Sequence, residues 1–439
     1  MILEWPVILL CIFASLIVLM VTGMPVFLCF MLINLIGMYL FFGGIVGLEN
    51  LIISIYTSLN TFILLPVPLF ILMGEVMFHT GIAPTLIKTL DKWLGQLPGR
   101  LSLLAVAVGT LFSTLTGTSL ASVAMLGSAL APSMEAQGYK KSMSLGPILG
   151  SGGLAMMIPP SALAVLCGAI AEISIGKILI AIIIPGLLLA AVYATYIIIR
   201  CWLQPSLAPS YEVEPTPLFE RLLDTVRYIL PQGLVVFLVV GVIFLGVATP
   251  SEAAATGAIG TIFLALLYGH LNLEVMKKAV TGTLTVTAML FLVLAGAAAF
   301  SQVLAFTGAT SGLTQFATQV SVTPITIIII MQIVILFLGG FVDVVSIMMI
   351  TLPIFVPVIL SLGFDPVWFA VIFLINIEVA GISPPFGMSL FVMKGVAPPG
   401  TTIGDIYTAS LPFVGLSLLA MVLIMIFPKL ALFLPGMMK

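Results

Sequence analysis

Charge is what this chain has least of. Asp, Glu, Lys and Arg make up 7% of its 439 residues, against about 25% in a soluble globular protein. Such a chain cannot present a solvated surface on every side. Its formal net charge of −2 says nothing about nucleic acid, and no basic patch suggests it. Cysteine is scarce too. Cys11, Cys29, Cys167 and Cys201 stand singly in or beside apolar runs; without CxxC or metal-ligand spacing they read as small core residues. The only histidines are His79 and His270. No HExxH, GxSxG, P-loop ending in GK[ST] or Rossmann glycine pattern occurs, so neither a catalytic constellation nor an ATP-driven motor within the chain is visible. The N-terminus lacks a basic region and a clear A-x-A cleavage site, so the first apolar run reads as a retained span.

What the chain does have is hydrophobicity, 62% of residues, in runs of membrane-spanning length from end to end. The reading is an all-α polytopic membrane protein. Five spans are expected in the first half, near 5–22, 25–47, 53–78, 142–170 and 178–200. Ile82 to Gln96 is amphipathic and reads as an interfacial helix. Leu101 to Met134 has no charge but is interrupted by Thr116-Gly-Thr-Ser119. It is too short for two spans, so it reads as a re-entrant helical hairpin with its tip near Gly117–Ser119. Residues 202–228 are rich in proline and charge and read as a polar cytoplasmic linker.

The second half repeats the first. An offset of 225 carries Pro25 onto Pro250, Phe112 onto Phe337, Pro132 onto Pro357, Gly138 onto Gly363, and Pro159-Pro160 onto Pro384-Pro385. This divides the chain into repeats at 1–201 and 229–439, the second with a hairpin near 325–362. Each repeat has five crossings, an odd number, so the two are expected to be inverted. Charge agrees. Of the 14 Lys and Arg, 11 fall on one side and only Lys177, Lys429 and Lys439 on the other; were each hairpin a single crossing the split would be 9 against 5. The crowded side is then cytoplasmic and both termini face out.

Near-central tandem prolines mark one span of each repeat, 142–170 and 366–393. Pro-Pro removes two backbone donors and bars the preceding residue from helical geometry. Both spans are expected to be half-helices joined by unwound backbone, which at membrane depth must be buried in protein or line a wet cavity. Half-helix N-termini suit a carboxylate, and unwound carbonyls suit a small hard cation such as Na⁺. The candidates are Gly117, Thr118, Ser119 and Ser122 at the first tip with Ser151 and Gly153 at the first break. At the second they are Gly339, Gly340 and Asp343 with Glu378, Gly381 and Ser383. Asp343 reads as a cation ligand, proton carrier or substrate contact, or as a helix cap. Glu378 reads as a cation ligand or as a support for the opened backbone. Glu75 and His79, four apart, read as a hydrogen-bonded pair rather than a relay, and Glu252 in Thr-Pro-Ser-Glu as a first-turn cap.

Gly117-Thr-Ser-Leu-Ala-Ser-Val-Ala-Met-Leu-Gly-Ser-Ala-Leu-Ala-Pro-Ser-Met-Glu-Ala-Gln-Gly-Tyr139, Met157-Ile-Pro-Pro-Ser161, Thr249-Pro-Ser-Glu-Ala-Ala-Ala255 and Gly381-Ile-Ser-Pro-Pro-Phe-Gly387 together resemble the large permease subunit of TRAP (tripartite ATP-independent periplasmic) transporters. The resemblance covers essentially the whole chain. It implies an elevator-type, Na⁺-driven importer of organic anions such as C4-dicarboxylates or sugar acids, in a bacterial or archaeal inner membrane. It also implies a small four-helix membrane subunit and a periplasmic substrate-binding protein as partners. By motif position, one Na⁺ site uses the first tip and Ser151–Gly153, and a second uses the second tip and the stretch around Gly381. Substrate contacts are expected from Thr118, Ser119, Asp343 and Ser383. A stand-alone Na⁺- or H⁺-coupled anion transporter of the same broader fold is the alternative.

Overall fold

The computed structural model describes residues 4–116, 119–209 and 216–438, and these contain helices and turns without strands. The first half runs α1 (Trp5–Val21), α2 (Val26–Phe41), α3 (Ile45–Leu59), α4 (Pro66–His79), α5 (Ala83–Leu94), α6 (Arg100–Thr116) and α7 (Ser119–Ala136). It continues with α8 (Lys141–Gly153), α9 (Ala162–Ala171), α10 (Ile175–Ala181) and α11 (Ile183–Leu203). The second half holds α12 (Leu218–Asp224), α13 (Leu230–Phe244), α14 (Pro250–Leu267), α15 (Leu273–Phe306), α16 (Ala309–Gln319) and α17 (Pro324–Gly339). It ends with α18 (Val344–Ser361), α19 (Pro366–Ile382), α20 (Met388–Val396), α21 (Ile403–Ile426) and the short α22 (Lys429–Leu432).

Local chemistry explains many helix starts. Thr249 and Glu252 close a reciprocal capping box ahead of α14, with Pro250 at its first position. Thr402 and Asp405 do the same for α21. Asp365 accepts from the Val367 and Trp368 amides to begin α19.

One expectation is corrected. Spans at 25–47 and 53–78 are instead three helices. Gly43 and Gly44, both at positive φ, follow the Phe42 cap that ends α2, and α3 folds back so closely that a Cβ on Gly47 would lie 2.0 Å from the Met38 carbonyl oxygen. A 3₁₀ turn at Phe62–Leu64 then separates α3 from α4. In the second half the corresponding stretch is the unbroken 34-residue α15. Within the expected linker at 202–228, Leu218 to Ile229 is helical and runs through a π turn straight into α13.

The helices form two packed groups. α2, α3, α4, α13, α14 and α15 make one; α6 to α9 with α17 to α21 make the other. α8 and α19 lie at the centre of the second group, buried from Met143 to Gly153 and from Val367 to Ile382. Glycine permits this closeness, since a Cβ on Gly146 or Gly150 would fall about 2.6 Å or less from the Phe413 ring of α21. Less 225, the bounds of α16 to α20 become 84–94, 99–114, 119–136, 141–157 and 163–171, within a few residues of α5 to α9. The contacts exchange in the same way: α7 packs on α20 as α18 packs on α9, and α8 on α21 as α19 on α10.

Candidate functional site

At the first break α8 ends at Gly153 and a 3₁₀ turn, Leu154–Met156, follows. The Met157 and Ile158 amides both return to the Leu154 carbonyl, at 2.9 and 3.0 Å. Pro159-Pro160 comes next, and Ser161 restarts the helix by accepting from the Ala164 amide. Gly186 of α11 seats directly on this turn: a Cβ there would stand 2.3 Å from the Met157 carbonyl oxygen. At the second break α19 ends at Ile382 and Ser383 is extended. The Gly387 amide closes back on the Ser383 carbonyl at 3.0 Å. The Tyr407 hydroxyl donates to the Pro385 carbonyl at 2.6 Å. A Cβ on Gly387 would meet Gly381 and Ser383 backbone at 2.7 to 2.9 Å, so only glycine fits that turn. The Pro159–Pro160 and Pro384–Pro385 bonds are both cis.

Each break meets a hairpin. Gly339, the last residue of α17, lies against Ala380 of α19, and Gly340 lies beside Pro385. The Phe341 and Phe386 rings are 6.1 Å apart. Asp343 caps α18. Its Oδ2 accepts from the Val345 and Ser346 amides, both at 3.1 Å, and the Ser346 hydroxyl donates to Oδ1. The cap reading of Asp343 is therefore realised, and the side chain remains half-buried at the tip. In the first hairpin, Gly117 and Thr118 lie outside the described residues. Ser119 and Ser122 are buried on the first turns of α7, whose Val123 fills the space left at Gly152. Ser151 is buried on α8 under Gly109 of α6 and donates to the Ile148 carbonyl.

The two breaks also meet one another. Glu378, buried on α19, packs so tightly on Gly153 of α8 that a Cβ there would lie 2.5 Å from its Cγ. Tyr193 of α11 donates to Glu378 Oε1 at 3.1 Å, and its oxygen lies 2.6 Å from Ser417 Oγ of α21. Glu378 Oε2 is buried with no hydrogen-bond partner among the described residues. Sequence reasoning passed over Tyr193 and Ser417. The available signal was a tyrosine in the middle of an apolar span, where its hydroxyl must find a partner. Glu75 and His79 lie elsewhere, on α4, 3.2 Å apart and with Glu75 against Gly282 of α15.

No Lys or Arg occurs at 101–139, 142–176 or 279–393, so tips and breaks carry no protein cation. Among the described residues no cluster of three His, Cys, Asp or Glu side chains could hold a metal ion. The polar groups on offer are hydroxyls, carbonyls, the single carboxylates Asp343 and Glu378, and the N-termini of α9 and α20. Between the two helix groups lies a cavity of about 1080 Å³, lined by Ser54, Thr57, Glu172, Ser251, Ser301 and Gln302 among others, and reaching Pro353 on α18. Ser54 Oγ is buried there without a partner among the described residues.

Residues 13–430 match the family described as "Tripartite ATP-independent periplasmic transporter, DctM component". The chain belongs to this family. The C4-dicarboxylate TRAP transporter large permease protein DctM of Pseudomonas aeruginosa is 31% identical to it over 89% of this chain and 90% of its own length. The ectoine TRAP transporter large permease protein TeaC of Halomonas elongata is 29% identical over 96% of this chain and 97% of its own. Among solved structures, the YdaH transporter of Alcanivorax borkumensis shares the fold, with a TM-score of 0.58 at 15% identity over 88% of this chain and 90% of that one. Seven helical segments of this TRAP large permease are long and apolar enough to cross a membrane, and it is a multi-pass membrane protein. Its relatives are transporter permeases, not enzymes.

Proposed function

We propose that this TRAP large permease is the Na⁺-coupled importer of an organic anion, a C4-dicarboxylate or a sugar acid. A periplasmic binding protein delivers the substrate, and a small four-helix membrane subunit completes the complex. The observation that carries the reading is the meeting of the two broken helices, Glu378 of one against Gly153 of the other. α8, α19 and both hairpins thereby form one packed body, and the large cavity opens between part of it and α3, α14 and α15. That body moves as the elevator, and the other group is the scaffold. The two halves are inverted repeats, the side bearing 11 of 14 basic residues is cytoplasmic, and both termini face out.

A Na⁺ ion fits this donor set. One site is formed by Gly117, Ser119, Ser122, Ser151 and Gly153. The other is formed by Gly339, Gly340, Asp343 and Gly381, with Glu378 between, whose Oε2 has no hydrogen-bond partner among the described residues. Neutral oxygens with few carboxylates favour a monovalent ion over Ca²⁺. Thr118, Ser119, Asp343 and Ser383 contact the substrate. With no Lys or Arg nearby, the substrate's charge is offset by the half-helix N-termini of α9 and α20 and by the co-transported ions.

Proteoliposome uptake tests this. With the binding protein and small subunit present, a labelled dicarboxylate or sugar acid should accumulate under an inward Na⁺ gradient and stop when the gradient is collapsed. Flux indifferent to that gradient would leave a channel, and uptake without either partner a stand-alone transporter.

A further inference from the structure

On the face assigned to the cytoplasm, a second and much smaller cavity, about 170 Å³, lies where the start of α5, the π turn before α13 and the end of α14 meet. Ile82, Thr85, Arg227, Tyr228, Tyr268 and His270 are among its lining residues. It is too small for a drug-sized molecule, which needs about 300 Å³, yet several times the roughly 30 Å³ of a water. That is room for a small polyatomic ion.

Its chemistry is one-signed. Arg227 forms no ion pair among the described residues, although acids lie near in sequence. Glu220 and Asp224 are both held by Lys92, and Glu274 by Lys278. The Arg227 guanidinium instead lies 5.4 Å from the centre of the Tyr228 ring, a contact that orients it without neutralising it. The Tyr268 hydroxyl donates to the Arg227 carbonyl at 2.6 Å and fixes the backbone beneath. His270 and Thr85 add an imidazole and a hydroxyl from two other segments. A planar guanidinium with no ion pair among the described residues, joined by a hydroxyl and an imidazole, is suited to an oxyanion held bidentately.

We propose that this pocket binds a phosphate group. Exposed apolar side chains surround it: Leu267 on its wall, Leu223, Val226 and Leu230 on the adjoining helix. They offer a surface for acyl chains, so the bearer of the phosphate is an anionic phospholipid at the cytoplasmic leaflet. A soluble phosphate is the other source of the same chemistry.

The test titrates the purified full chain in detergent with phosphatidylglycerol, with phosphatidylcholine and, separately, with inorganic phosphate. Lipid retention is read by native mass spectrometry and stabilisation by thermal shift. Phosphatidylglycerol should bind at least about fivefold more weakly to the R227Q/H270Q variant, while K88Q, which removes an exposed charge on α5, should leave it unchanged. Should the double variant misfold, R227K keeps the charge but loses the planar fork and should show a smaller loss. Stabilisation of the unaltered chain by inorganic phosphate alone, lost in R227Q/H270Q, assigns the pocket to a soluble phosphate. Binding of lipid and phosphate that survives in R227Q/H270Q and R227K, or falls equally in K88Q, overturns the proposal.

Discussion

Asp343 caps α18 and is proposed to hold the co-transported ion, and substitution can separate the two. As the cap of α18 it takes two amides, and Asn serves nearly as well in that position. D343A should therefore lower stability by about 0.5–2 kcal/mol and abolish uptake. D343N should melt close to the unaltered chain and still lose Na⁺-dependent uptake, because it keeps the cap but not the charge. Full uptake by D343N would make Asp343 a cap and nothing more. Tyr193 can be judged by stability alone. Y193F removes the only hydrogen bond to Glu378 that the described structure shows and leaves a buried polar group unsatisfied. The expected cost is about 1–3 kcal/mol, measured by thermal or denaturant unfolding in detergent. The Asp343 cap was legible because it is local, three residues from tip to helix. The Tyr193–Glu378 link was not, because the partners are 185 residues apart and nothing in either neighbourhood names the other.

Elements meet at points that glycine and charge decide. A Cβ on Gly339 would stand 2.3 Å from the Ala380 Cβ and 2.8 Å from its Cα. G339A should push the second tip off α19 and reduce uptake at least tenfold. Adding A380G removes the nearer clash and should restore part of the rate; no recovery would separate the tip's seating from transport. At the other surface, Lys92 of α5 bridges Glu220 and Asp224 of α12, and the Trp93 indole donates to Thr225 at 2.9 Å. Hydrogen bonds to Asp224 and then Glu220 hold the Lys92 ammonium above its ordinary pKa. A raised pKa contributes stability at all pH below the free-lysine value, lost only as pH climbs through the raised one. The clamp is thus intact across the physiological range. K92Q should loosen it, seen as red-shifted Trp93 emission that persists at low salt, whereas the unaltered chain should show the shift only at high salt.

The breaks were readable because proline acts on the backbone whatever surrounds it. The Thr249–Glu252 capping box was readable because threonine and acid stand three apart. The division of α2, α3 and α4 was not. Residues 25 to 79 are apolar almost throughout, and hydropathy reports what a segment is buried in, not where its backbone turns. Gly43-Gly44 was a visible hint, outweighed by the length rule for spans.

At the scale of the whole molecule, the cavity between the two helix groups is the route that the transport reading requires. Gln302 is exposed on its wall. Q302W should narrow it and slow uptake several-fold, with stability within about 0.5 kcal/mol of the unaltered chain and binding protein affinity for substrate unchanged. Uptake at the normal rate would place the route elsewhere.

Gly153 and Glu378 are 225 residues apart, the offset that relates the two halves in the sequence, so under the proposed repeat this contact is made by the same position of each. A position that meets its own counterpart cannot be filled alike on both sides. Two glutamates would press one carboxyl on another in the dry interior, and two glycines would leave a hole. One of each is the solution found here, and it gives the halves unequal roles. If the halves descend from one ancestral unit, this is a place where identity could not survive their fusion, and the acid could afterwards be tuned on one side only.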